Sequence, residues 1–174
     1  MAWTRVRHAI RYKVRMGMDQ EGRITAMDIS AVSNNGAYAS HGHAVVAKGA
    51  GMSTGIYRIP NYRYEAKTVY TNTAAAGAMR GYGVPQITYC LEVMMDKAQR
   101  VTGLDPFTLR QRNMTAAGEM NPVLHMVAHS NALDACLERG RKAFRWDERR
   151  AAIDKMEQGE YKRGLGLAAF IYTS

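Results

Sequence analysis

The stretch VRHAIRYKVRMGMDQEGRITAMDISAV, residues 6–32, decides the fold class of this chain. From Val6 to Met18 the even positions are apolar or aromatic apart from one histidine, and the odd positions are mostly arginine and lysine. A period of two over so many residues predicts a strand with one buried and one solvated face. Asp19 to Gly22 supplies turn residues, and Arg23 to Val32 returns to a strand pattern. The stretch is therefore predicted to form a β-hairpin.

Three further segments extend the analysis beyond the hairpin. Residues 33–58 are rich in Gly, Ala, Ser and Asn with little periodicity, which favours either irregular backbone or a small-residue helix packed closely against another element. Lys67–Thr71 is β-branched and aromatic and predicts a short strand. Gly164–Thr173 is an apolar, strand-like run, and we expect its partner strands to lie outside this sequence.

Three helices are predicted in the second half of the chain. The first covers Pro85–Gly103, with a proline in its first turn and a glycine as the stop signal. The second covers Asp105–Arg112, with the aspartate as N-cap. The third covers Ser130–Phe144, with the serine as N-cap and basic residues near the C-terminal end, where they favour the helix dipole. These elements predict an α+β fold with a hairpin or small sheet and about three helices, and residues 1–174 are expected to form one partial domain.

The composition restricts the class of protein. A chain of 174 residues with 47% hydrophobic and 22% charged residues has the balance of a globular domain. The formal net charge is +9, but acidic residues are interleaved with the basic ones between Arg139 and Arg163, which is typical of solvated helix faces and not of a nucleic-acid surface. The sequence contains neither a membrane-length apolar run nor a signal-peptide pattern, so we expect a cytoplasmic location. Cys90 and Cys136 lack metal-binding spacing and are expected to be reduced, buried and without a function.

Two histidine pairs and one glycine-rich segment are the candidate sites. His41 with His43, and His125 with His129, have metal-like spacing, but no third ligand is apparent for either pair, so no metal is predicted there. The segment Arg80–Gly83 reads Arg-Gly-Tyr-Gly just before a predicted helix. An arginine on glycine-rich backbone can bind an anion, and an adjacent aromatic ring can stack on a flat substrate.

At this segment the sequence resembles a known family. Residues 70–73 (YTNT) and 76–86 (AGAMRGYGVPQ) are similar to the T-N-x-x-x-x-A-x-R-G-[FY]-G-x-P-Q segment of the xanthine dehydrogenase and aldehyde oxidase family. Three more stretches agree in order, namely residues 33–43 (SNNGAYASHGH), the GLDP and LRQRN of residues 103–113, and residues 164–167 (GLGL). The likeness is greatest to the molybdenum-binding subunits of bacterial, multi-subunit members.

The resemblance implies a cofactor, a substrate class and partners. Members of the family bind molybdenum through molybdopterin, often as the cytosine dinucleotide in bacteria, and hydroxylate a purine or an aldehyde with water as the oxygen source. Iron–sulfur clusters and FAD in partner subunits take up the electrons. The glutamate that acts as catalytic base is expected downstream of this sequence, and neither Glu65 nor Glu92 replaces it. The chain is therefore expected to be an inactive internal piece, with exposed apolar surface that favours dimers.

The family motif assigns roles to individual residues. Arg80 is expected beside the molybdenum, as the residue at the metal, with Met79 and Gly81 also contacting the cofactor. Tyr82 is expected to lie against the heterocycle, where animal enzymes commonly have phenylalanine. Lys48 is the nearest basic residue to the position, upstream of an Ile-Pro-Asn turn, where purine hydroxylases place a second arginine. Because lysine supplies a point charge in place of a planar fork, Lys48 weakens the case for purine specificity.

Three functions remain open at this stage. The leading one is oxidation of a purine, xanthine or hypoxanthine. The second is a related molybdenum enzyme that oxidises aldehydes or aromatic heterocycles, or that reduces hydroxybenzoyl-coenzyme A. The third is a basic binding module that shares the fold and has no catalytic activity.

Overall fold

A computed structural model describes residues 4–156 and 159–172 of the chain. Within these residues a three-stranded sheet in the order β1-β2-β3 is accompanied by five helices. The elements along the chain are β1 (Ile10–Met18), β2 (Ile24–Gly36), α1 (Gly42–Ile56), β3 (Asn61–Tyr70), α2 (Val84–Thr102), α3 (Pro106–Asn113), α4 (Leu133–Phe144) and α5 (Trp146–Asp154). The predicted α+β class is confirmed. None of the helices in the described ranges is long and apolar enough to cross a membrane.

The sheet combines one antiparallel and one parallel pairing. β1 and β2 form the predicted hairpin, with Met16 opposite Met27 and a register shift between Gly17 and Met18. β2 and β3 are parallel, with Ile29 opposite Tyr64, so the chain must cross the sheet between them. That crossover is α1, because parallel neighbours require a connection long enough to return to the starting edge.

The core lies between the helices and one face of the sheet. α1 packs on β2 and β3, and α2 packs on α1 and β1. Side chains alternate along β1, so Tyr12 and Val14 are partly buried against the core while Arg11, Lys13 and Arg15 are exposed on the opposite face. The fully or nearly fully buried apolar residues of this core include Ile29, Met52, Ile56, Tyr57, Ile87, Leu91, Met95 and Leu109.

Helix α1 resolves the alternatives that residues 33–58 left open. Its small residues allow close packing on β3, since a Cβ at Gly49 would stand 2.9 Å from the hydroxyl oxygen of Tyr64. The Ser53 hydroxyl lies 2.6 Å from the Tyr62 hydroxyl oxygen. These tyrosines alternate inward along β3, and for this reason the strand begins at Asn61, well before the predicted Lys67.

The C-terminal third differs most from the prediction. α4 begins after Ala132, not after Ser130, and α5 (Trp146–Asp154) was not predicted as a separate helix. Arg145, in the left-handed conformation with φ of 55°, separates the two helices. The predicted strand at Gly164–Thr173 is wrong for the described residues 164–172, which form no strand, and Thr173 lies outside them. Some backbone groups of this segment form hydrogen bonds with side chains and not with a neighbouring strand.

A buried ion pair between α2 and α3 provides those side chains. Arg110, with a fully buried side chain, donates from Nε to a Glu92 carboxylate oxygen at 2.9 Å. The Tyr57 hydroxyl donates to the other oxygen of Glu92 at 2.5 Å, and burial followed by the nearby carboxylate raises the pKa of that hydroxyl well above its usual value. Two backbone groups of the C-terminal segment also bond to this pair. The amide of Ala169 donates to Glu92 at 3.1 Å, and the carbonyl of Leu167 accepts from Arg110 at 2.9 Å. Glu92 is thus held in place by structural partners.

The two cysteines lie in different environments. Cys90 is buried, as predicted, whereas Cys136 is exposed and the prediction for it was wrong. Leu137 faces the core from α4, and the preceding residue is turned about 100° around the helix axis toward solvent.

We expect the two thiols to react with Ellman's reagent at pH 8 in two clearly separated phases. Burial raises the pKa of the Cys90 thiol to about 11, so only about one molecule in a thousand carries the thiolate at that pH. The fast phase should disappear in Cys136→Ser, and the slow phase should remain. Two phases of equal rate in the wild-type chain would contradict the burial of Cys90.

Candidate functional site

The segment between β3 and α2 forms a tight loop on left-handed backbone. Gly81, Tyr82 and Gly83 have successive φ angles of 91°, 42° and 92°. Two hydrogen bonds close the turn, from the Tyr82 amide to the Met79 carbonyl at 2.8 Å and from the Val84 amide to the Gly81 carbonyl at 2.9 Å. Left-handed conformations are costly for residues other than glycine, so the glycine spacing noted in the sequence has a backbone reason.

Close packing supplies a second reason for the two glycines. A Cβ at Gly83 would stand 2.3 Å from the carbonyl oxygen of Val45, in α1. A Cβ at Gly81 would stand 2.6 Å from ring carbons of Pro85, in the first turn of α2. The loop is therefore pressed between the starts of two helices, and its backbone position depends on the absence of side chains there.

The N-terminal segment fixes the approach to this loop. Val6 exchanges backbone hydrogen bonds with Ala75 and Gly77, at 3.2 Å and 3.1 Å. The Arg7 guanidinium donates to the carbonyl oxygen of Arg80 at 2.7 Å. These contacts span more than 65 residues of sequence, and no local pattern indicated them.

The Ser-Asn-Asn-Gly end of β2 supports the loop from the other side. The Asn35 carbonyl accepts from the Ala76 amide at 3.0 Å, and the Asn35 side chain donates to the Tyr38 carbonyl at 3.0 Å. The buried His8 ring lies 3.4 Å from the Asn35 Oδ1, and burial lowers the pKa of His8. Asn35 and His8 were missed in the sequence, although Asn35 lies within a stretch that resembles the family.

Arg80 and Met79 are displayed at the top of the loop. Both side chains are exposed. Among the described residues, no carboxylate lies within salt-bridge distance of the Arg80 guanidinium. An exposed guanidinium of this kind can bind an anionic group through up to five N–H donors.

Tyr82 points toward the start of α1. Its hydroxyl lies 2.8 Å from Nδ1 of His41, and the two rings meet edge to face with centroids 6.0 Å apart and an interplanar angle of 81°. His41 was singled out in the sequence only as a possible metal ligand and rejected. In the described ranges, no group of three or more His, Cys, Asp or Glu side chains could hold a metal ion.

Lys48 lies on the same side of α1 as this contact. His41, Val45 and Lys48 follow at spacings of four and three residues, so they share one helix face. The rise of a helix places Lys48 about 10 Å from His41 along the axis. The Lys48 ammonium also lies over the Tyr172 ring, 5.2 Å from its centroid. Thus α1 carries Lys48 and contacts Tyr82 through His41 at its start, and these are the two residues predicted to contact substrate.

These residues fit a cofactor that brings its own metal ligands. The guanidinium of Arg80 has no lone pair to offer a metal, so it can approach only the oxygen atoms or phosphates around one. The exposed side chains of Arg80 and Met79 leave this side of the loop open to a bound group. The donor set therefore suits an anionic metal cofactor and does not suit a metal ion held by protein alone.

Comparisons with known proteins identify the family and agree with the fold. A family model described as "Molybdopterin cofactor-binding domain" matches residues 1–114. A putative xanthine dehydrogenase molybdenum-binding subunit of Escherichia coli is 43% identical over 98% of this chain, and the large molybdopterin subunit of nicotinate dehydrogenase from Eubacterium barkeri is 35% identical over 78%. The aldehyde oxidoreductase of Desulfovibrio gigas superposes with a TM-score of 0.80 and 26% identity over 89% of this chain and 17% of its own.

The match covers only a part of each relative. The chain spans 23% of the Escherichia coli subunit and 32% of the Eubacterium barkeri subunit. The family match extends from residue 1 to residue 114 and therefore includes the whole described sheet and the Arg-Gly-Tyr-Gly loop. The chain therefore belongs to the molybdopterin cofactor-binding domain family, within the xanthine dehydrogenase and aldehyde oxidase group that its motifs predict.

Proposed function

We propose that this chain forms part of the cofactor and substrate site of a molybdenum hydroxylase that oxidises purines, xanthine first among them, with water as the oxygen source. One observation carries the proposal: Arg80 and Tyr82 lie two residues apart on a single left-handed loop of a molybdopterin-binding domain. The similarity to xanthine dehydrogenase subunits supports the substrate class. The catalytic base is assigned to a part of the enzyme outside these residues.

The roles of the residues follow from their chemistry. When bound, the molybdenum cofactor supplies the two-electron oxidation of the substrate carbon. Arg80 stabilises negative charge as it develops beside the cofactor, because donors fixed in advance need no reorganisation during the reaction. Tyr82 holds a flat heterocycle by ring stacking. Met79 and Gly81 contact the cofactor through the exposed thioether and the backbone.

Lys48 is proposed to contact the far end of the substrate. A lysine ammonium can donate to a keto oxygen of a purine, although without the planar fork of an arginine. Its position on the α1 face shared with His41 supports a substrate that extends along α1 from Tyr82. Its contact with the Tyr172 ring would then be exchanged for the contact with substrate.

A second candidate function is oxidation of an aldehyde or of another aromatic heterocycle such as nicotinate. Lys48, in place of the arginine expected for purines, favours this alternative, as do the nicotinate dehydrogenase and aldehyde oxidoreductase relatives. In either case, iron–sulfur and FAD subunits are the proposed electron-accepting partners, the cytosine dinucleotide is the proposed pterin form, and the cytoplasm is the proposed location.

Replacing Arg80 with alanine in the complete enzyme should lower xanthine-dependent dye reduction by about 100-fold or more, the cost of removing one charge-stabilising donor. Arg80→Lys should restore part of the loss, because it returns the charge but not the fork. Turnover is measured with xanthine, benzaldehyde and nicotinate in parallel, and molybdenum content is measured for every variant.

Arg100→Ala provides the matched control, since Arg100 is an exposed arginine in the last turn of α2, away from the loop. It should keep both molybdenum and turnover. Preferred turnover of benzaldehyde or nicotinate would select the second candidate function. An enzyme that holds no molybdenum and oxidises none of the three substrates would contradict the hydroxylase proposal and favour the binding module.

A further inference from the structure

We propose that His41 is a positioning residue that fixes the ring of Tyr82 for substrate binding. The proposal rests on the proposed function, in which Tyr82 lies against the substrate. It assigns a role to a histidine that the sequence indicated only as a rejected metal ligand. Four features of the described residues carry it.

The contact restrains the tyrosine in two ways. The hydrogen bond of 2.8 Å to His41 Nδ1 fixes the position of the hydroxyl oxygen. The edge-to-face arrangement of the rings, at 81°, restrains the plane of the tyrosine ring. A stacking surface must keep both its position and its plane, because a flat ligand loses contact area when the ring rotates.

His41 is itself held firmly. Its carbonyl oxygen accepts the first hydrogen bond of α1, from the Val45 amide at 2.9 Å. The next residue, Gly42, is packed against β2 so closely that a Cβ would stand 1.7 Å from Asn35 Oδ1. The backbone of the histidine is therefore anchored to α1 on one side and to the sheet on the other.

The imidazole has no structural task at the helix start. His41 occupies the N-cap position of α1, but its side chain makes no capping hydrogen bond. Asp105, the N-cap of α3, illustrates the usual role, accepting from two backbone amides of its helix. The His41 ring instead shares its hydrogen bond with the Tyr82 hydroxyl.

The loop gives Tyr82 little support of its own. Tyr82 is the non-glycine member of three successive left-handed residues, and its backbone φ of 42° is one that side chains rarely adopt. The neighbours Gly81 and Gly83 have no side chains to pack against its ring. Removal of His41 therefore removes both the hydrogen bond and the edge-to-face contact that orient the ring, while the close contact of Gly83 with Val45 keeps the loop in place.

The test combines kinetics with a signal from the ring itself, both in the complete enzyme. His41→Ala and Tyr82→Phe should each raise the KM for xanthine about fivefold with little change in kcat. Each variant loses the hydrogen bond between His41 and Tyr82, which orients the ring that the substrate contacts. The double variant should be no worse than either single variant, because both remove the same interaction. His43→Ala, which changes an exposed histidine two residues further on, should leave KM unchanged.

The second measurement is the ¹⁹F resonance of 3-fluorotyrosine incorporated at position 82. It should shift and narrow toward that of a mobile ring in His41→Ala but not in His43→Ala. An unchanged resonance in His41→Ala, or losses that multiply in the double variant, would overturn the positioning role while Tyr82→Ala still impairs turnover. If the resonance responds but neither His41→Ala nor Tyr82→Ala changes the kinetics, the proposed contact of Tyr82 with substrate is overturned, and the positioning role with it.

Discussion

Replacing Arg110 with alanine is expected to lower the free energy of unfolding by about 3–5 kcal/mol, because the change leaves an uncompensated charge in the core. The Arg110 side chain is fully buried, and that of Glu92 is 7% exposed. Without the guanidinium, the Glu92 carboxylate keeps only the Tyr57 hydroxyl and the Ala169 amide as donors. Urea denaturation of the chain, followed by circular dichroism, measures the loss.

The matched control is Arg58→Ala. Arg58 also pairs with a glutamate, donating from Nε to Glu119 at 3.1 Å, but its side chain is half exposed. Exposed pairs contribute about 0–1 kcal/mol, so this loss should be several times smaller. Replacing Arg110 with methionine and Glu92 with leucine together should recover most of the stability, since well-packed apolar side chains can substitute for a buried pair. Equal losses for the Arg110 and Arg58 variants would show that the pair is not buried in solution.

The second large effect is expected for Gly83→Ala, which should destabilise the chain by about 2–4 kcal/mol and abolish turnover of the complete enzyme. The added methyl group meets the carbonyl oxygen of Val45 at 2.3 Å, and a φ of 92° is unfavourable for alanine. Neither atom can yield easily, because one belongs to the backbone of α1 and the other to the tight loop. Displacement of the loop moves Arg80 and Tyr82 together.

Gly103→Ala separates the two causes. Gly103 ends α2 with a φ of 70°, also left-handed, but no atom lies within 4 Å of the position of its Cβ. It should therefore show only the backbone cost of about 1–2 kcal/mol and full turnover. Thermal unfolding and xanthine-dependent dye reduction of both variants measure the difference. If the two variants lose the same stability and both keep turnover, the packing of the loop on α1 is incorrect.

Local patterns in the sequence predicted the elements with strong periodicity. The hairpin was identified because its alternation extends over two strands with turn residues between them, and α2 and α3 because proline, glycine and aspartate mark their ends. α1 was left open since its glycines and serines have no clear period. Its helical state depends on packing against tyrosines of β3, which lie 9 and 18 residues along the chain from the α1 residues that they contact.

The candidate site was predictable only where local sequence patterns indicated it. The glycines around Tyr82 indicated an unusual backbone, and the family motif added roles for Arg80 and Lys48 that stay predictions. The contact with His41 joins residues 41 positions apart, so it required the helical state of α1 before it could be inferred. The Arg110–Glu92 pair was equally hidden, because a buried charge looks in sequence like any other charged residue on a helix.

The parallel pairing of β2 with β3 has a consequence for the order of folding. The β1–β2 hairpin connects neighbouring segments and can form on its own within about 1–10 μs. β3 can join β2 only after the intervening chain, including α1, has closed across the sheet, and such non-local pairing is slow. The loop carrying Arg80 and Tyr82 follows β3 and rests on α1, so it cannot reach its final shape before this closure. During synthesis on the ribosome, we expect the hairpin to form first, α1 and β3 to pack on it next, and the loop with Arg80 and Tyr82 to reach its final shape after them.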